Sequence, residues 1–260
     1  MRIAMGISYN GQPYQGWQSQ LSGLTIQDKL EQSLSKFAAH RVSTLCAGRT
    51  DAGVHGLMQV VHFDTPLSRS THAWLKGGNA GLPPDIAIQW AKEMPETFHC
   101  RANAISRRYI YVLLESEVRP SIDHGRVGWV YRPLDLASMK VSSSLLLGEH
   151  DFTSFRASAC QSLSPIKQIY RMNIDRRGNY WRFEFEANAF LHHMIRNIMG
   201  CLIAVGQHKQ TPEWIFDVLQ ARDRCAAEPT FSPSGLYFLG PRYEERWGLP
   251  DKTPLYDGLP

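Results

Sequence analysis

The spacing of apolar and polar positions divides the chain into short strands and amphipathic helices. Apolar residues recur at helical spacing after Thr25, a good N-cap, and they predict a helix over residues 25–39. Trp181, Phe183 and Phe185 alternate with charged residues, which predicts a strand with one solvated face. Gly178 and Asn179 before this strand can take positive φ, which predicts a hairpin of residues 166–175 and 180–187. These patterns place strands at residues 2–9, 42–47, 59–64, 86–93, 106–114, 166–175, 180–187 and 235–239, and further helices near residues 69–80, 135–147, 190–203 and 211–221.

Strands come in runs with helices between them. This order favours an α+β protein whose mainly antiparallel sheet is covered by helices on one face. The strand–helix order restarts near the middle of the chain, so we expect an N-terminal half over residues 1–104 and a C-terminal half over residues 105–249. The segment 250–260 is punctuated by Pro and Gly, and we expect it to be a loose tail.

Composition and charge narrow the class of protein. The 260 residues are 43% hydrophobic and 20% charged, as in a folded protein, and the five cysteines form no Cys-x-x-Cys pair. The chain starts without an apolar signal core and has no stretch of membrane-spanning length, so we expect a cytoplasmic protein with reduced thiols. The net charge of +4, with 20 Arg to 8 Lys, fits a polyanionic partner, although an ordinary solvated surface explains it equally well.

Aromatic residues gather beside the Asn10-Gly11 turn. Tyr9, Tyr14 and Trp17 are able to stack on nucleic-acid bases, because every base presents a π-face. Burial in a small core beneath a loop is the more frequent arrangement of such side chains, and we expect it here.

The most concentrated chemistry lies in the loop at residues 48–55, Gly-Arg-Thr-Asp-Ala-Gly-Val-His. Two glycines bracket Asp51 and allow the backbone to turn sharply or a ligand to approach closely. Arg49 can pair with the carboxylate and keep it ionised, so Asp51 is a candidate nucleophile, general base or metal ligand. A turn-forming Asp that accepts backbone N–H bonds is an equally good interpretation of these residues alone.

Other catalytic signatures are missing from the sequence. The histidines lack the spacing of a metal-binding motif, and we expect no metal. The sequence contains neither the Gly-x-Ser-x-Gly elbow of a serine hydrolase nor a glycine-rich loop of a phosphate-binding pattern. Asp51 is therefore the best remaining candidate for chemistry.

The loop and several other segments resemble one protein family. Residues 48–55 resemble the signature loop of the tRNA pseudouridine synthase A family, which isomerises uridines in the anticodon arm of tRNA. Five further segments resemble motifs of this family in the expected order: residues 9–18, 107–111, 148–156, 190–197 and 235–237. The chain departs from the pattern at Gly56 and Met58, where the family more often has Ala and Gly, and this leaves the packing beside the loop open.

The resemblance implies a fold and an activity. The implied fold is the pseudouridine synthase fold, with two similar α/β halves, a mainly antiparallel sheet and a basic cleft between the halves. The implied reaction converts uridine to pseudouridine at positions 38, 39 and 40 of the anticodon stem-loop of tRNA, after base flipping and without a cofactor. The resemblance also implies a homodimer.

The resemblance assigns roles to seven residues. Asp51 is the nucleophile, Arg49 pairs with it and takes part in base flipping, and Arg196 braces the carboxylate from a helix. Whether Asp51 attacks the sugar or the base stays open. The substrate-binding positions are Tyr109, which stacks on the uracil, Leu236, which forms an apolar wall, and Arg107 and Arg108, which contact phosphates.

Two other classes of function remain open on the residues alone. One is a non-catalytic RNA-binding protein, but an intact Arg49–Asp51 pair favours catalysis, because a pure binder gains little from an acid near phosphates. The other is a hydrolase acting on a glycosidic bond. Such an enzyme normally needs a second carboxylic acid, and the sequence shows none near Asp51.

Overall fold

The computed structural model of the chain describes residues 1–250, which form two compact units. Among the described residues, the first unit contains Met1–Arg107 together with Tyr237–Pro250, and the second contains Arg108–Leu236. The sequence analysis placed residues 237–249 in the second half, whereas the structure groups them with the first. The reason is that the last strand pairs in parallel with a strand of the first unit at Tyr237 and His55. All of the expected loose tail except Pro250 lies outside the described residues.

The helices and strands follow the predicted order. They are β1 (Arg2–Tyr9), α1 (Ile26–Ala38), β2 (Leu45–Cys46), β3 (His55–Asp64), α2 (Thr71–Ala80), β4 (Ile86–Met94), β5 (Ala104–Glu115), β6 (Gly128–Val130), α3 (Leu136–Ser144), β7 (Gly148–Asp151), β8 (Ile166–Arg177), β9 (Tyr180–Ala187), α4 (Met194–Gly206), α5 (Trp214–Ala221) and β10 (Leu236–Tyr243). In the described part of the chain, no helix combines the length and the apolar character needed to cross a membrane.

The first unit contains the strand order β4-β1-β3-β10, with β2 beside β3. β1 pairs antiparallel with β3 and with β4. Alternate β1 residues, Ile3, Met5 and Ile7, are buried in one core cluster with Leu34 of α1 and Trp74 of α2. Ala4, on the other face of β1, belongs to a second core cluster. The predicted α+β fold with a mainly antiparallel sheet is confirmed.

The second unit contains the strand order β5-β9-β8-β7, with β6 beside β5. β8 and β9 form the predicted antiparallel hairpin, and Gly178 in its turn has φ +59°. Trp181, Phe183 and Phe185 are buried while the residues between them are half-buried, so the predicted alternation is confirmed. α3 packs against β8 and α4, which places helices against this sheet as well.

The boundaries around the polar loop differ from the prediction. β2 has two residues rather than the six predicted over residues 42–47, and the side chain of Leu45 is 54% exposed. β3 starts at His55, so the strand takes in the last residue of the predicted loop. The pattern of apolar side chains misplaced the boundaries of both β2 and β3, because the length of each strand depends on which backbone N–H and C=O groups find hydrogen-bond partners in a neighbouring strand.

Two segments of the second unit were also assigned differently from the sequence. Residues 148–151, to which the sequence pattern assigned neither a helix nor a strand, form strand β7, and Phe152 and Phe155 directly after it are fully buried. The helix predicted from Phe190 begins only at Met194, because His193 takes a left-handed conformation with φ +62° that an α-helix does not allow.

Candidate active site

The seven candidate residues are distributed over both units. Arg49 and Asp51 lie in the loop between β2 and β3 of the first unit. Arg107 is the last residue of the N-terminal segment of this unit. The second unit holds Arg108, Tyr109, Arg196 and Leu236. Arg49 and Asp51 thus lie in the same loop of the first unit.

The Asp51 loop, residues 47–54, is closed by two backbone hydrogen bonds. Ala47 N–H donates to Val60 O at 2.9 Å at its start, and Val54 N–H donates to Asp51 O at 3.1 Å at its end. Gly53 lies in the resulting turn with φ +79°, a conformation that favours glycine. Asp51 itself is half-buried.

Gln59 of β3 fixes the start of the Asp51 loop. Its side chain is fully buried, its Nε2 donates to Gly48 O, and Gly48 N–H donates to its Oε1 at 3.3 Å. A buried amide that is bonded at both ends resists displacement, because moving it would leave desolvated polar groups unpaired. Gly48 is thereby held three residues before Asp51.

Thr50, directly before Asp51, is fixed through both its side chain and its backbone. Its Oγ1 lies 2.8 Å from the hydroxyl of Tyr9, and its carbonyl accepts from Trp17 N–H at 3.0 Å. Gly16 packs against the same carbonyl with φ +87°, and a Cβ at this position would lie 2.9 Å from Thr50 O. The segment after β1 thus supports the Asp51 loop directly.

The far end of the loop is held by His55. Its Nδ1 accepts from Gly11 N–H at 3.2 Å, and its ring stacks on Tyr237 of β10 with centroids 4.5 Å apart. Both sides of Asp51 are consequently anchored to the body of the first unit.

Gly56 and Met58, the two departures from the family pattern, both have local partners. A Cβ at Gly56 would lie 2.8 Å from the Tyr9 hydroxyl oxygen, so the glycine leaves room for the ring that bonds Thr50. The sulfur of Met58 accepts from Trp90 Nε1–H at 3.1 Å. The packing question raised by the sequence is thus answered by neighbours on β1 and β4.

The aromatic residues after β1 are part of the core. Tyr9, Tyr14 and Trp17 are all buried in the cluster beneath α1 and α2, and Tyr9 and Trp17 rings lie 5.7 Å apart. Their expected burial is confirmed.

In the second unit, Arg196 lies in the first turn of α4 and is bonded to a neighbouring segment. Its Nε donates to Phe231 O at 2.8 Å, and Phe231 N–H donates to Arg196 O at 3.2 Å. The adjacent Asn197 is fully buried, donates to Phe155 O at 2.8 Å and accepts from Thr230 Oγ1 at 2.7 Å. These bonds fix the direction in which the start of α4 presents Arg196.

Tyr109 and Leu236 are both buried, with 8% and 5% of their surfaces exposed. The Tyr109 ring meets Phe190 edge-on at 5.2 Å. Val112 N–H donates to Gly235 O at 2.8 Å, which ties the residue before Leu236 to β5, the strand that carries Tyr109. Leu236 is therefore a core residue.

Arg107 makes contacts that the sequence did not predict. Its guanidinium donates to the carbonyls of Ala104 at 3.1 Å and Arg101 at 2.7 Å, with a longer bond to Ala47 O at 3.4 Å. Ala47 begins the Asp51 loop, so this arginine has a structural role that competes with the expected phosphate contact.

Three potential metal ligands of the first unit, His62, His99 and Cys100, come together although their sequence spacing gave no motif. One donor atom from each lies within 4.8 Å of the others. Nδ1 of His62 accepts from Cys100 N–H at 3.3 Å, and Nδ1 of His99 accepts from two backbone N–H groups. Burial, together with the positive charge of Arg2, lowers the pKa of His62 to about 4. Because Nδ1 of each ring already accepts from backbone N–H groups and a cation would meet the positive charge of Arg2, we interpret this cluster as structural.

A family model described as tRNA pseudouridine synthase matches residues 5–102 and 143–244, which together are more than half of the chain. The chain belongs to the tRNA pseudouridine synthase family. A tRNA pseudouridine synthase A of Albidiferax ferrireducens is 68% identical over 260 residues, and one of a Polaromonas species is 66% identical over 264 residues, with all of both chains covered in each case. A chain in the solved structure of an H/ACA RNP bound to a substrate RNA containing 2′-deoxyuridine is more distant. It is 10% identical, the TM-score is 0.39, and the match covers 77% of this chain and 44% of the chain in that structure.

Membership of the tRNA pseudouridine synthase family confirms the resemblance inferred from the sequence motifs. The two matched segments include the Asp51 loop, Arg196 and Leu236, and they leave residues 107–109 between them. What the sequence analysis missed is the set of buried partners behind the loop. Tyr9 and Trp17, for example, belong to the motif at residues 9–18, but their spacing in the sequence did not indicate that they contact Thr50.

Proposed function

We propose that this protein isomerises uridine to pseudouridine in the anticodon stem-loop of tRNA, at positions 38, 39 and 40. The observation that carries the proposal is Asp51, a half-buried carboxylate in a loop fixed on both sides. Relatives that match the full chain carry the name tRNA pseudouridine synthase A, which supports tRNA as the substrate.

Asp51 would supply the covalent step of the reaction. Its carboxylate bonds to the substrate, the N1–C1′ glycosidic bond breaks, the uracil turns, a C5–C1′ bond forms, and the bond to Asp51 breaks so that the carboxylate is free again. The hydrogen on C5 leaves as a proton and N1 takes up a proton, so the product is an isomer and no oxidant or reductant is consumed. Splitting the exchange into two substitutions lowers the barrier of each step.

The remaining candidates take supporting roles in this proposal. Arg49 pairs with Asp51 and takes part in base flipping, and Arg196 acts as a bracing cation, for which its bonds to Phe231 supply a fixed position. Tyr109 stacks on the flipped uracil and Leu236 provides an apolar wall. Arg108 contacts phosphate, while Arg107 combines a phosphate contact with its bonds to backbone carbonyls. We further propose a cytoplasmic homodimer.

The proposal is tested with tRNA carrying tritium at C5 of a single uridine. Wild-type protein should release label from transcripts with that uridine at position 38, 39 or 40, because formation of the C5–C1′ bond expels the C5 hydrogen. A transcript with the uridine moved outside the anticodon arm serves as the matched control and should retain its label. Retention of label in every transcript would overturn the proposal and favour a non-catalytic RNA-binding protein.

A further inference from the structure

We propose that Tyr9 is a positioning residue for the reaction, because its hydroxyl, paired with Thr50, sets the backbone from which Asp51 projects. This inference rests on the proposed function of Asp51. It concerns residues of the first unit only, and it assigns Tyr9 no contact with the substrate.

The hydroxyl pair is well shielded from water. The Tyr9 hydroxyl lies 2.8 Å from Thr50 Oγ1, and the two residues are only 5% and 7% exposed. Burial raises the pKa of Tyr9 far above its ordinary value, so the phenol keeps its proton and remains able to donate. Breaking this pair would leave at least one buried hydroxyl unsatisfied, which makes the contact more decisive than a surface hydrogen bond.

The pair acts on Asp51 through the adjoining peptide. Thr50 is bonded by its side chain to Tyr9 and by its carbonyl to Trp17, and that carbonyl belongs to the peptide that joins Thr50 to Asp51. Gln59 separately holds Gly48 by two hydrogen bonds. Buried hydrogen bonds therefore fix the loop at one and at three residues before the proposed nucleophile.

Tyr14 provides a matched control inside the same core cluster. It is also buried, with 8% exposed, and its hydroxyl donates to Asp85 at 2.6 Å. Removing that hydroxyl deletes a comparable hydrogen bond of a buried tyrosine and leaves the Asp51 loop untouched. A merely structural role for Tyr9 therefore predicts equal behaviour of Tyr9→Phe and Tyr14→Phe.

The experiment compares Tyr9→Phe and Tyr14→Phe in saturating tritium-release kinetics and in amide hydrogen exchange. Tyr9→Phe should lower kcat by about 10- to 100-fold with little change in KM, because a small misplacement of a reacting group has this effect. Tyr14→Phe should keep the wild-type kcat. Thr50→Ser keeps the hydroxyl and should retain the pair and the activity. Thr50→Val removes the hydroxyl and should lower kcat as much as Tyr9→Phe does.

Hydrogen exchange separates this inference from the proposed function. The amides of Trp17 and Val54, which donate to Thr50 O and Asp51 O, should exchange faster in Tyr9→Phe than in Tyr14→Phe, whatever the catalytic activity. Equal exchange in the two variants, or an unchanged kcat in Tyr9→Phe of an active enzyme, would overturn the positioning role. If wild-type protein releases no label, the proposed function is overturned. If Tyr9→Phe still exchanges faster than Tyr14→Phe in that case, the role of Tyr9 in ordering the loop is supported.

Discussion

Replacing Gly16 by alanine should displace the Asp51 loop. Gly16 has φ +87°, and an added Cβ would lie 2.9 Å from Thr50 O, 3.1 Å from Ala52 N and 3.2 Å from Asp51 C. All three atoms belong to the backbone around the proposed nucleophile, so the clash cannot be relieved by turning a flexible side chain. Either Gly16 or the loop must move.

The expected loss has two contributions. A residue other than glycine in a left-handed conformation costs about 1–2 kcal/mol. Forcing a methyl group into packed backbone adds about 1–3 kcal/mol, so the free energy of unfolding should fall by about 2–5 kcal/mol. If part of the strain is relieved by shifting Asp51, kcat should also fall by about 10- to 100-fold.

Gly23 gives the matched control. It lies in the same β1–α1 connection with φ +66°, but an added Cβ would meet nothing within 4 Å. Gly23→Ala should therefore lose only about 1–2 kcal/mol in urea unfolding and keep wild-type tritium release. Equal stability and equal activity of Gly16→Ala and Gly23→Ala would refute the claim that Gly16 supports the Asp51 loop.

Three further predictions concern other parts of the molecule. The folded-state pKa of His62, about 4, lies below its unfolded value of 6.5, so its contribution to stability is complete above pH ~6.5 and is lost as the pH falls toward ~4. The free energy of unfolding in urea should therefore be about 2 kcal/mol lower at about pH 5 than at about pH 7.5, and His62→Gln should lack this difference. An equal pH dependence in the variant would contradict this. Asn197→Leu should lower the free energy of unfolding by about 3 kcal/mol, because the buried Phe155 carbonyl loses its donor and the half-buried Thr230 and Arg224 lose an acceptor. Asn173→Ala at an exposed position should change it little, and equal urea midpoints of the two variants would count against the Asn197 contacts. Arg196→Lys should reduce kcat more than tRNA affinity, since lysine cannot donate from Nε to Phe231 O while it presents its charge, and an unchanged kcat would remove Arg196 from the site.

Local signals in the sequence were enough to predict much of the fold. Thr25 was identified as an N-cap, and in the structure its side chain accepts from Asp28 N–H at the start of α1. The β8–β9 hairpin was predicted from alternation and its Gly178 turn, since period-two burial and glycine at positive φ are properties of neighbouring residues. The placement of β10 was not predictable, because its pairing with β3 joins residues far apart in the chain.

The candidate site shows the same division. Asp51 stood out because its residue type, its neighbours and its glycines are contiguous in the sequence. The hydroxyl pair of Tyr9 and Thr50 was missed, because a buried tyrosine and a loop threonine are each unremarkable until the fold places them 2.8 Å apart. Arg107 was expected at phosphate, and only its bonds to nearby carbonyls reveal a structural role.

The central claim is that Asp51 is the nucleophile of a tRNA uridine isomerase. The most direct test measures tritium release and tRNA affinity for Asp51→Asn, with the exposed Asp217→Asn as the control. Asparagine keeps the shape of the side chain but removes the nucleophilic carboxylate. Label release should therefore be abolished in Asp51→Asn, while tRNA affinity stays within a few-fold of wild type and Asp217→Asn remains fully active. Release of label by Asp51→Asn at the wild-type rate would contradict the account.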